Sequence, residues 1–177
     1  MASNWCVITG APCSGKTTVL DILCEIGYRT VPEAAREIVD EEIARGRKNE
    51  EIKSDMLKFQ RQVLERKIRT EGNLPRESLI FFDRGLPDSL AYYNFYNFDT
   101  CEILKLCKNR PYRKVFLLER LPFQKDYART ESDEEAAKIQ ELLMKAYTDL
   151  GYEIVRIPVM SAEKRIGLIL TSLQRPS

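Results

Sequence analysis

Gly10-Ala11-Pro12-Cys13-Ser14-Gly15-Lys16-Thr17 satisfies the pattern G-x-x-x-x-G-K-[ST] at every fixed position. The flanks suit it. Trp5-Cys6-Val7-Ile8-Thr9 is a short apolar run of the kind that forms a buried strand, and Thr18 to Ile26 carries apolar residues at helical spacing, closed by Gly27. Between a strand and a helix, Gly10 and Gly15 let the backbone curl so that several N–H groups converge on an anion, and the helix adds its positive end to the same point. The expected nucleotide contacts are Gly10, Ala11, Pro12, Cys13, Ser14, Gly15, Lys16, Thr17 and Thr18. Lys16 reaches the β- and γ-phosphates, and the Thr17 hydroxyl is a ligand for Mg²⁺.

Working outward, strands and helices alternate. Strands are expected at 28–32, 78–82, 114–118 and 153–157, helices at 33–45, 50–70, 99–108, 133–150 and 161–173, with a further helix after Leu86-Pro87-Asp88. Pro32 limits the second strand and Asn49 is placed to cap the helix from 50. Ser78 to Phe82 is continuously apolar, as a strand covered on both faces should be. This alternation predicts an α/β fold with a five-stranded parallel sheet. Neither a repeat nor a linker divides residues 1–177, so one domain is expected.

In a parallel sheet ligands bind beyond the carboxyl ends of the strands. Each strand end here carries a polar cluster: the Gly-rich loop, then Glu33 and Arg36, Asp83 and Arg84, Glu119 and Arg120. Asp83 can hold Mg²⁺ or accept a proton; alternatively it caps the next helix, a job Asp88 could do equally well. Glu33 is a candidate general base for an acceptor hydroxyl, or a first-turn acid that favours the helix dipole. Arg36, one turn on, and Arg84 could bind the acceptor substrate, or Arg84 could form an ordinary surface ion pair. Residues 119–131 hold Arg120, Lys125 and Arg129, and such a basic loop can close as a lid over a transferring phosphoryl group or be a solvated charged loop. The aromatic residues from Tyr92 to Phe98 could stack on a ring, pack in the core, or offer a partner surface.

Composition narrows the classes. The chain has 28 basic and 27 acidic residues, a net charge of +1, and no histidine. Histidine catalysis and zinc sites that need histidine are excluded, and the charge balance argues against nucleic acid, including a nucleic-acid end kinase that would need a basic groove. No apolar run is long enough to span a bilayer, and the first strand begins within a few residues of Met1, so no membrane association and a cytoplasmic location are expected. The five cysteines, scattered without a C-x-x-C pair, read as reduced thiols.

Val31-Pro32-Glu33-Ala34-Ala35-Arg36-Glu37, Asp83-Arg84-Gly85-Leu86-Pro87-Asp88 and Gly151-Tyr152-Glu153, together with the Gly-rich loop, resemble the AAA-type ATPase domain family that sits beside the ribosylnicotinamide kinase domain. More broadly, the acid after the second strand, the acid–arginine pair after the third and the arginine-bearing lid are similar to those of deoxynucleoside kinases, although Gly85 stands where many of them have Ser. The resemblance implies a three-layer, kinase-like P-loop NTPase with strand order 2-3-1-4-5.

The reading is then a phosphotransferase using Mg²⁺ and ATP or GTP, acting on a small-molecule acceptor such as a nucleoside or nucleotide. Lys16, Glu33, Asp83, Arg120 and Arg129 are the catalytic candidates, Glu33, Arg36 and Arg84 the acceptor-binding ones, and Thr17 and Asp83 the metal ligands. The alternative is a nucleotide-binding switch or slow NTPase that signals to a protein partner, with Tyr92 to Phe98 as its surface.

Overall fold

The computed structural model describes residues 3–108, 112–121 and 132–174. Five strands, β1 (Trp5–Thr9), β2 (Arg29–Val31), β3 (Ile80–Asp83), β4 (Lys114–Leu118) and β5 (Ile154–Ile157), form one sheet in the order β2-β3-β1-β4-β5. Every pairing is parallel, so all carboxyl ends lie along one edge. β1 is central and wholly buried. Its side chains alternate between two cores, as the period of two demands. Cys6 and Ile8 join Phe81, Phe116 and Leu118 beneath α1 (Lys16–Glu25) and α8 (Ala162–Gln174), which supply Val19, Leu23, Ile166 and Ile169. Trp5 and Val7 join Ile80, Phe82 and Val115 on the other face. The core on α5 (Leu86–Phe95), α6 (Cys101–Lys108) and α7 (Asp133–Asp149) is built from Leu90, Ile103, Ile139 and Leu143. Helices, sheet and helices make the expected three layers.

A smaller cluster roofs the sheet edge. α2 (Ala34–Ala44) contributes Ala34 and Ile38, packed on Ile52, Phe59 and Val63. Here the expected single helix over 50–70 is two helices, α3 (Asn49–Ile52) and α4 (Met56–Gly72). The break falls at Ser54-Asp55, where the Asp55 carboxylate accepts a hydrogen bond from the Lys58 N–H (3.0 Å) and starts α4 afresh. Asn49 is not the expected cap but the first residue of α3, after the N-cap Lys48. Glu33, expected inside the second helix, is instead the N-cap residue of α2, with extended backbone and a side chain that makes no capping bond. No helix among the described residues is long and apolar enough to cross a membrane.

Candidate functional site

The phosphate loop is shaped by three left-handed or positive-φ residues: Gly10 (148°), Cys13 (64°) and Gly15 (80°). At Gly10 a side chain has no room, since a Cβ would lie 2.7 Å from the Leu118 carbonyl oxygen. Lys16 folds back over the loop. Its ammonium donates to the carbonyl oxygens of Gly10 (3.0 Å) and Ala11 (3.1 Å) and to Ser14 Oγ (3.3 Å). Burial and the nearby Arg84 lower its pKa to about 8 against the pull of Asp83, Glu33 and Asp88. The outer side of the loop is braced by bonds that no local pattern announces. The Ala11 N–H donates to Gln140 Oε1 (2.6 Å), and the Leu121 N–H donates to the Cys13 carbonyl (3.1 Å). The Arg165 guanidinium donates to the Ser14 carbonyl.

A cavity of about 270 Å³ opens beside the loop. Residues Pro12 to Thr18 form one wall, and Glu33, Arg36, Lys67 and Arg84 another. Gly10 and Ala11 are not part of the lining and reach the site through Lys16, whose ammonium their carbonyls hold. Glu33 and Arg84 come from different strand ends and meet: Arg84 Nε donates to Glu33 Oε1 at 2.7 Å. Arg84 is buried, has φ 69°, and its guanidinium lies over the Tyr92 ring (5.3 Å), so it is no surface ion pair. Burial works to raise the Glu33 pKa, but the charge of Arg84, then Lys16 and the hydrogen bond, outweigh it and hold the carboxyl down to about 2. Arg36 lines the cavity and is exposed.

Behind Arg84 stands Asp88, fully buried. It accepts from Thr9 Oγ1 (2.6 Å), Tyr147 OH (2.5 Å), the Gly85 N–H (2.9 Å) and Arg84 Nη1 (3.2 Å). Asp88, not Asp83, therefore caps α5. Asp83 lies off the main cavity, beside a small one that it shares with Lys67 and Glu71. Its Oδ1 is buried without a hydrogen-bond partner. Burial first, then the charge of Glu33, raise its pKa to about 7. The unpartnered Asp83 Oδ1 and the exposed Thr17 hydroxyl at the start of α1 are hard oxygen donors of the type Mg²⁺ takes, but Thr17 lines the main cavity and Asp83 only the small one.

Not all expected residues converge. Arg120 is ion-paired with Asp133 at the start of α7 and does not line the cavity. Lys125 and Arg129 lie outside the described residues. The aromatic run is not an exposed partner surface: Tyr93 is buried, Phe95 and Phe98 pack on the core, and Tyr92 and Tyr96 wall the cavity. Sequence reasoning missed Lys67, buried on α4, whose ammonium donates to the Gly85 carbonyl (2.8 Å) and Ser89 Oγ (3.2 Å). It also missed Gln140 and Arg165. A lysine on the apolar side of α4, next to Leu64 and Ile68, was the one available signal.

The Glu33–Arg84 pair has a pH signature. A carboxyl depressed from 4.5 to about 2 stabilises the fold fully above pH 4.5, and that contribution is lost as pH falls through 4.5 towards 2. Urea unfolding of Glu33→Gln is expected to run below wild type by about 2 kcal/mol at pH 7. The gap should close as pH falls from 4.5 towards 2; a gap that stays constant over that window would mean the charge pair does not carry it.

No protein of curated function matches the chain in sequence. Several solved structures share its fold. NadR in complex with NR superposes with a TM-score of 0.71 at 19% identity, over 99% of this chain and 53% of that one, so the chain spans about half of NadR. Thymidylate kinase from Ehrlichia chaffeensis gives 0.64 at 16%, covering 99% and 100% of the two chains. Deoxyadenosine kinase from M. mycoides gives 0.61 at 18%, covering 96% and 98%. At these identities the likeness is one of fold, and it agrees with the P-loop kinase architecture and its strand order. The model of an AAA domain family, AAA_28, matches residues 5–165, from the first strand to the buried arginine of the last helix, and the chain belongs to that family.

Proposed function

We propose that the chain is a Mg²⁺-dependent phosphotransferase that moves the γ-phosphoryl group of ATP or GTP to a small-molecule acceptor such as a nucleoside or nucleotide. The observation that carries this reading is the shared cavity, with the phosphate loop on one wall and the Glu33–Arg84 pair on another. A protein that only hydrolysed nucleotide would have little use for a second charged wall and a further apolar and aromatic recess beyond it, lined by Phe59, Met56, Val63, Tyr92 and Tyr96. That recess, with the Gln60 amide in its lining, suits the body of an acceptor whose hydroxyl reaches Glu33.

In this proposal the loop amides and Lys16 bind the triphosphate. Thr17 and Asp83 would hold Mg²⁺, which supplies charge neutralisation at the β- and γ-phosphate oxygens when bound. The acceptor oxygen forms a bond to the γ-phosphorus while the bond to the bridging oxygen breaks and the nucleoside diphosphate leaves. The acceptor proton passes to the Glu33 carboxylate. Held down to about 2, the carboxyl is a weak base, and in a loose transition state, where the proton moves late, its chief task is to orient the hydroxyl. Arg84 fixes Glu33, Arg36 holds the acceptor, and Arg129 is proposed to serve the transferring group; Arg120, paired with Asp133 and off the cavity lining, is not assigned that role.

The deciding experiment incubates the protein with Mg²⁺ and ATP or GTP against a pool of nucleosides, nucleotides and vitamin-derived metabolites, with products followed by mass spectrometry. A phosphorylated metabolite supports the reading and names the acceptor. Bound nucleotide with slow hydrolysis and no such product would replace it with a nucleotide switch. With the acceptor known, Glu33→Gln is expected to lower kcat by about 10²-fold or more with the nucleotide KM little changed. Arg129→Ala should also lower kcat, and wild-type transfer by both variants would overturn the roles.

A further inference from the structure

Arg165 stands one turn into α8 and is 2% exposed. Among the described residues its guanidinium forms no ion pair. It spends its donors on three backbone carbonyls from three separate segments: Nη1 on Ser14 in the phosphate loop (2.5 Å), Nη2 on Glu119 after β4 (3.2 Å) and Nε on Pro158 after β5 (3.1 Å). The Glu119 carboxylate itself faces Arg156. Burying a cation is costly, and burial lowers the Arg165 pKa, with the charge of Glu119 opposing it only in part. Its three bonds tie the phosphate loop to the chain just beyond β4 and β5.

What it holds follows from peptide geometry. No described peptide bond is cis, and in a trans peptide the C=O and the next N–H point in opposite directions. With the Ser14 oxygen drawn to Arg165, the Gly15 N–H points away from it. Arg165 does not line the cavity, whereas Ser14 and Gly15 do. The guanidinium therefore approaches the loop from behind and turns the Gly15 amide towards the side where an anion would lie. The Leu121 N–H does the same for the next peptide back, by holding the Cys13 oxygen at 3.1 Å. Gly15 fits the arrangement closely: a Cβ there would lie 3.2 Å from Arg165 Nη1 and 3.3 Å from Leu121 Cδ1.

We propose that Arg165 is a positioning residue for the nucleotide phosphates, setting the Ser14–Gly15 peptide plane so that the loop amides face the anion before it binds. The inference rests on the phosphate loop binding a nucleoside triphosphate. Preorganised amides cost nothing to align at the moment of binding, so their loss should appear in nucleotide affinity and not only in stability.

The test measures the Kd of a fluorescent nucleoside triphosphate with Mg²⁺, and its competition by inorganic tripolyphosphate, well below the melting temperature. Arg165→Met is expected to weaken both by about tenfold or more. Arg165→Lys keeps the charge but not the planar fork, so it reaches fewer carbonyls and should fall between. Arg113→Met is the structural control, because Arg113 donates to Asn4 Oδ1 and the Leu173 carbonyl at the other end of the sheet. It should lower the melting temperature and leave both affinities alone. Folded Arg165→Met that binds within twofold of wild type overturns the assignment. If that variant does not fold, Arg165→Lys decides alone by the same criterion. Wild type that binds no triphosphate sinks the phosphotransferase reading instead, which separates the two failures.

Discussion

Lys16→Met should lower phosphoryl transfer by about 10³-fold, the scale found when a preorganised donor to a developing oxyanion is removed. The argument lies in the lysine's surroundings. Lys16 is 7% exposed and its ammonium rests on two carbonyls and one hydroxyl of the loop, where the proposed phosphate oxygens would come. Its charge is held there at a cost, shown by a pKa of about 8. A triphosphate returns that cost by presenting anionic oxygens in a site shielded from water, where each contact is worth more than in solution. Methionine keeps the length and fills the same space, so the fold should survive; relief of the buried charge can even leave it as stable as wild type. The expected signature is a folded protein with normal melting behaviour and almost no turnover. Transfer within tenfold of wild type would mean that the loop does not bind the reacting phosphates.

The features legible in the sequence were those encoded locally. The Gly-rich loop announced itself by spacing, and five apolar runs between amphipathic ones were enough for a parallel sheet. The rule that strand ends share an edge correctly brought Glu33 and Arg84 together, 51 positions apart, in a 2.7 Å contact. The same rule said nothing about orientation. Arg120 also ends a strand, yet it turns to Asp133 and away from the cavity. The split between α3 and α4 was masked because Ile52, Met56 and Phe59 keep helical spacing straight across the break, while Asp55, which makes it, looked like one more polar residue. Arg165 and Gln140 were beyond reach for a different reason. Their partners are backbone atoms 151 and 129 positions away, and no side-chain pattern marks a carbonyl or an amide as a target.

Asp88→Asn is expected to destabilise the fold by about 3–5 kcal/mol, the range for breaking a buried charge pair from one side. Asp88 is 0% exposed, and four donors use its two oxygens: Thr9 and Arg84 on Oδ1, Tyr147 and the Gly85 N–H on Oδ2. A carboxylate has about four acceptor positions, so none is spare. Asparagine keeps the shape but offers one oxygen, and whichever way the amide turns, its NH₂ faces a donor that cannot accept, the Arg84 guanidinium on one side or the Gly85 N–H on the other. Among the described residues Arg84 is then left with Glu33 as its one ion-pair partner, and the positive φ at Arg84 loses a bond that helps hold it. For a chain of this size the melting temperature should fall by about 10 °C. Tyr147→Phe separates the network from mere packing. It removes a single donor and leaves the carboxylate with three, so it should cost about 1 kcal/mol. The same hierarchy should appear in transfer, because Asp88 braces Arg84 and Arg84 sets Glu33: kcat should drop further in Asp88→Asn than in Tyr147→Phe at temperatures where both are folded. Equal melting of Asp88→Asn and wild type would show that the interactions holding the acceptor wall lie elsewhere.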